Sequence, residues 1–159
     1  MKLRILGCGT STGVPKIGND WGKCDSAEPR NARLRSSILV ESEDERVLVD
    51  CGPDLRQQLL SADVGKLDGV IVTHAHGDHC HGIDELRPIA QALGGPVPLH
   101  ARADVLSELR HRFAYAFESS EFYRPIVEAQ ELGADLARLR DRAIESGRLE
   151  NIAKTMLQF

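Results

Sequence analysis

The stretch Gly69-Val70-Ile71-Val72-Thr73-His74-Ala75-His76-Gly77-Asp78-His79-Cys80-His81-Gly82 decides how the rest of the chain is read. Its first residues are a short apolar, β-branched run that predicts a buried strand over 68–73. The polar cluster that follows would stand at the carboxyl end of that strand, where open α/β sheets place ligand sites. In extended backbone, residues two apart face the same side, so His74 and His76 can aim imidazole nitrogens at one ion about 2.0–2.1 Å away. Gly77 permits a sharp turn, after which Asp78 and His79 point from the start of a helix toward a second ion some 3.5–4 Å from the first. A lone histidine is usually a surface or capping residue. Three histidines and an aspartate within six residues behind an apolar strand point instead to two metals. His81, His100 and His111 lack that spacing and receive no role.

Working outward, Leu3–Cys8 predicts a strand, and Ser36–Glu41 with Val47–Asp50 a β-hairpin across the polar segment 42–46. The leucines at 55, 59 and 60 predict a helix over 54–60, and Pro53 just ahead of it suits the first turn of a helix. Helices are predicted over 85–93 and 103–113, the latter with Val105, Leu106 and Leu109 on one face, and residues 96–100 should be extended. Strands alternating with helices make an α/β layered protein. From Leu132 onward the apolar residues follow a 3.6-residue repeat, which predicts a helical tail broken near Gly147.

The 159 residues, 42% hydrophobic and 28% charged, suit one compact domain with a real core. No apolar run approaches the roughly 20 residues that cross a bilayer, and the start is too short for a signal-peptide core, so a cytoplasmic location is expected. Without an export signal, Cys8, Cys24, Cys51 and Cys80 are expected to stay reduced and unpaired. The net charge of −4 argues against a general nucleic-acid coat. Arg30, Arg33 and Arg35 could still meet a phosphate, although exposed, solvated arginines are the commoner case. The Gly7–Gly13 loop has GxGxxxG spacing and is followed by Pro15, which excludes a dinucleotide fingerprint. It reads either as a lining of the site mouth or as a tight turn.

His74-Ala75-His76-Gly77-Asp78-His79 matches the HxHxDH signature of the metallo-β-lactamase superfamily, and Val49-Asp50-Cys51-Gly52 resembles the strand-end aspartate motif that precedes it there. Gly7–Pro15 and Ser36–Val40 are similar to the opening of the ribonuclease Z and phosphoribosyl cyclic-phosphate phosphodiesterase branch, and 79–88 looks closest to the phosphodiesterase of phosphonate breakdown. The resemblance covers about residues 1–130. It implies two divalent ions, Zn²⁺ or Mn²⁺, with His74 and His76 on the first, Asp78 and His79 on the second, and Asp50 supporting them from behind; Asp50 could also be a plain strand-end cap. Nearby cysteines hold an additional zinc in the phosphodiesterase relative, and Cys24 has no close cysteine neighbour for such a site.

A complete member needs a further histidine, a bridging aspartate and a last histidine from the second half of an αβ/βα sandwich. This chain has no histidine after His111, and Asp104, Asp135 and Asp141 fall in segments that read as helix. The expected architecture is therefore the amino-terminal half of the sandwich over 1–130 with an atypical helical tail over 131–159. Truncation, a shifted reading frame after about Gln130, or a natural variant would each produce it. The implied function is hydrolysis of a small phosphodiester or nucleotide-like substrate, with Asp78 orienting the nucleophile. Two alternatives stay open: a thioester or lactam hydrolase of the same fold, and a catalytically silent metal-binding fragment that pairs with a second chain, such as its own copy, through an uncovered sheet.

Overall fold

The computed structural model describes residues 1–121 and 123–133. Of the helical tail expected over 131–159, residues 134–159 lie outside the described residues. Among the described residues six strands form one sheet in sequence order: β1 (Lys2–Gly7), β2 (Ser37–Glu41), β3 (Arg46–Val49), β4 (Gly69–Ile71), β5 (Val97–Ala101) and β6 (Val127–Glu131). The first three are antiparallel neighbours, and β3 to β6 run parallel. Parallel neighbours need crossovers, and helices fill the intervals: α1 (Leu55–Ala62), α2 (Gly77–Cys80), α3 (Arg87–Leu93), α4 (Ala103–Arg112) and α5 (Ala114–Phe117).

Strand alternation decides which side chains enter the core. Leu39, Leu48, Val70, Leu99 and Val97 are fully buried and share one cluster with Leu55, Leu59, Ile89, Leu106 and Leu109 from the helices. On the opposite face the register brings Leu3 beside Val40, Ile5 beside Ile38, Ile38 beside Val49, and Val49 beside Ile71. Among the described residues that face is apolar and thinly covered, with Leu3 61% and Ile5 63% exposed. The α/β architecture and the hairpin are as expected from the sequence.

Three local expectations are corrected. Helix α1 begins at Leu55, one residue later than expected, with Asp54 as its cap residue and Pro53 ahead of it as anticipated. The helix expected over 85–93 is two pieces, a 3-10 turn Ile83–Leu86 and then α3, because Pro88 has no N–H to donate to the carbonyl of Asp84. Strand β6 and helix α5 were not expected at all. No described helix is long and apolar enough to cross a membrane.

Candidate metal centre

The site is built where β3 and β4, parallel neighbours, both run out. Asp50 follows β3 in a left-handed conformation (φ 63°) and is only 6% exposed. Its carboxylate accepts from the backbone N–H of Thr73 at 2.8 Å and from the Thr73 hydroxyl at 2.9 Å. His79, on the one-turn helix α2, donates its Nδ1–H to Asp50 Oδ2 at 2.7 Å. His74 places Nδ1 at 3.0 Å from the same threonine hydroxyl.

Two glycines make this convergence possible. A Cβ on Gly52 would stand 2.1 Å from the carbonyl oxygen of Asp78, and one on Gly82 would stand 2.1 Å from that of Gly52. The loop after β3 and the loop carrying the histidines therefore pack backbone against backbone, closed by Cys51 N–H to His79 O and Gly82 N–H to Cys51 O, both 2.8 Å.

The four residues singled out in the sequence are brought to one place. The His74 ring centroid lies 4.7 Å from that of His76 and 4.0 Å from that of His79, and Asp78 Oδ2 stands 3.2 Å from His79 Nε2. They do not form a finished cage: among the described residues no three His, Cys, Asp or Glu side chains are arranged to hold one ion. The donor set nevertheless fits a cation. With Nδ1–H given to Asp50, the lone pair of His79 Nε2 faces a carboxylate oxygen, a contact between two acceptors that a positive ion between them, or a second proton on the ring, would relieve. A carboxylate behind a ligating histidine is also the usual way its ring is oriented for metal.

The remaining candidates separate from the site. Arg35 is not a free phosphate contact: Asp54 takes its Nη1 at 2.8 Å and the Ser11 carbonyl takes its Nε at 2.9 Å, while Arg33 is exposed. The Gly7–Gly13 loop is stitched to the segment 33–35 through Gly9 N–H to Leu34 O (2.7 Å) and a reciprocal pair between Val14 and Arg33. His81 lies edge-on to Phe113 at 5.7 Å. Asp104 sits in the first turn of α4 beside Arg102, and Asp135 and Asp141 lie outside the described residues. The four cysteines carry free thiols; burial pushes the Cys80 thiol up to about 11 and the Cys51 thiol higher still. Sequence reasoning missed Thr73 and the packing role of Gly52 and Gly82. The first had a readable signal, a hydroxyl one residue before the cluster.

A family model described as a beta-lactamase superfamily domain matches residues 45–144. An octanoyltransferase of Porphyromonas gingivalis is 36% identical over 152 residues, which is 94% of this chain and 30% of that protein. A ribonuclease Z of Parabacteroides distasonis is 30% identical over 91 residues, 55% of this chain and 30% of that one. Among solved structures, a diphosphatase of the PhnP family superposes with a TM-score of 0.70 at 38% identity, covering 82% of this chain and 50% of that one. The chain thus spans about a third of the curated relatives it matches and half of this solved structure.

Proposed function

The chain belongs to the metallo-β-lactamase superfamily, and from that premise we propose that it carries half of a two-metal hydrolase centre directed at a phosphodiester in a cyclic phosphate, a nucleotide or RNA. The observation that carries this reading is the contact between His79 and its two carboxylates, Asp50 at 2.7 Å behind the ring and Asp78 at 3.2 Å in front of it. His74 and His76 would hold one divalent ion, and Asp78 and His79 a second, Zn²⁺ or Mn²⁺ being suited to imidazole and carboxylate. When bound, such ions act as Lewis acids on a phosphoryl oxygen and lower the pKa of water.

The chain's own residues do the rest. Asp50, fixed by Thr73, holds the His79 ring in one orientation. Asp78, half-buried beside that ring, would orient an attacking water and could take up its proton. The similarity to a diphosphatase and a ribonuclease, both named for cleavage at phosphorus, favours phosphate over carbonyl substrates.

A second reading, hydrolysis of a thioester or lactam, is favoured by one observation: the relative matched over most of this chain is named for transfer of an octanoyl group. A third is a silent metal-binding fragment. To separate them, the metal-free protein is reloaded with Zn²⁺ or Mn²⁺ and assayed on bis-p-nitrophenyl phosphate and on an acyl thioester. The expected result is phosphodiester turnover that disappears in Asp78→Asn. Turnover of the thioester alone rejects the phosphodiesterase reading, and stoichiometric metal without turnover of either favours the silent fragment.

A further inference from the structure

Behind the candidate ligands lies a chain of contacts whose proton directions can be worked out. Thr73 Oγ1 stands 2.9 Å from both oxygens of Asp50 and 3.0 Å from His74 Nδ1. A hydroxyl has one proton to give, and an ionised carboxylate can only accept. The proton therefore goes to Asp50, and what Thr73 turns toward His74 is a lone pair. A lone pair at hydrogen-bond distance requires a donor opposite it, so His74 must carry its proton on Nδ1. The Thr73 N–H to Asp50 Oδ1, at 2.8 Å, locks the hydroxyl into this geometry by fixing the backbone that bears it.

We propose that Thr73 is a positioning residue, and that the buried Asp50 carboxylate sets the ring of two histidines, His79 directly and His74 through the Thr73 hydroxyl. Its value rests on the metal-centre reading. With the proton on Nδ1, the Nε2 lone pair of His74 is left for an ion, on a ring 4.7 Å from that of His76 and 4.0 Å from that of His79. One carboxylate thereby coordinates both halves of the centre. Serine at position 73 could serve equally, whereas valine, of nearly the same shape, could not.

The test reads the proton position without metal. Long-range ¹H–¹⁵N spectra are recorded on metal-free protein at mildly alkaline pH, where the two neutral imidazole tautomers give distinct cross-peak patterns. Wild type and Thr73→Ser should show His74 as the Nδ1–H tautomer. Thr73→Val should move His74 to Nε2–H, with the remaining backbone spectrum unchanged as evidence that the fold survives. Zinc titration against a chromogenic chelator should then show roughly tenfold weaker binding in Thr73→Val, restored in Thr73→Ser. A His74 tautomer unchanged by Thr73→Val, or Nε2–H already in wild type, overturns the relay. If the tautomers follow the expected pattern but no variant binds zinc, the relay stands and the metal reading falls.

Discussion

Asp50 is the residue on which the site's geometry turns. It occupies a left-handed conformation that costs a non-glycine residue roughly 1 kcal/mol, and it recovers that cost through bonds to Thr73 and His79. Asp50→Asn keeps the shape but puts a donor where His79 needs an acceptor. Zinc affinity should drop roughly 10- to 100-fold, measured by competition with a chelator, with the urea midpoint changing far less; unchanged affinity would leave Asp50 a strand-end cap. The cysteines give a second expectation. Burial holds Cys51 and Cys80 as neutral thiols, whereas Cys8 and Cys24 are exposed. Titration of the native protein with a disulfide reagent should modify two thiols rapidly and the other two only after denaturation. Rapid modification of all four would show that the Asp50–His79 layer opens readily.

Elements whose signal is local could be read from the sequence, and those defined by their neighbours could not. The β2–β3 hairpin announces itself by two apolar runs around a polar turn, and β4 by three consecutive apolar residues ahead of the histidines. Strand β6, Val127-Glu128-Ala129-Gln130-Glu131, has neither pattern; it is extended because β5 offers it a ladder at the sheet's edge. The histidine cluster was legible because its ligand types crowd into six residues, whereas the backbone contact between Gly52 and Asp78 joins positions 26 apart and leaves no periodic trace. That contact is testable at the scale of the two loops. Gly52→Ala places a methyl group 2.1 Å from the Asp78 carbonyl, in rigid backbone on both sides. The substitution should cost about 1–3 kcal/mol in urea unfolding and shift the amide resonances of 76–80. A variant as stable as wild type with unmoved resonances would mean the loops are not packed this tightly in solution.

At the scale of the molecule, the two faces of the sheet differ among the described residues. One buries Leu39, Leu48, Val70 and Leu99 completely under the helices. The other presents Leu3, Ile5, Ile38, Val40, Val47, Val49 and Ile71 as a continuous apolar band, in a chain that spans only half of the matched diphosphatase structure. No single stretch of sequence reveals this asymmetry; the strand register shows that the outward residues of β1 to β4 line up into one surface. At roughly 25 cal/mol per Å² of apolar area removed from water, covering such a band is worth several kcal/mol, and a second copy offers the same band in return. Self-association with a dimer as its first species is therefore expected, visible in sedimentation velocity as a mass that rises with concentration. Replacing Leu3 and Ile5, the most exposed members of the band, by lysine should return the protein to a monomer without lowering its thermal midpoint, because neither side chain contributes to the buried core. A wild-type protein that remains monomeric at its highest soluble concentration would instead mean that the band is covered from within the same chain, and the double variant would then lose stability rather than change mass.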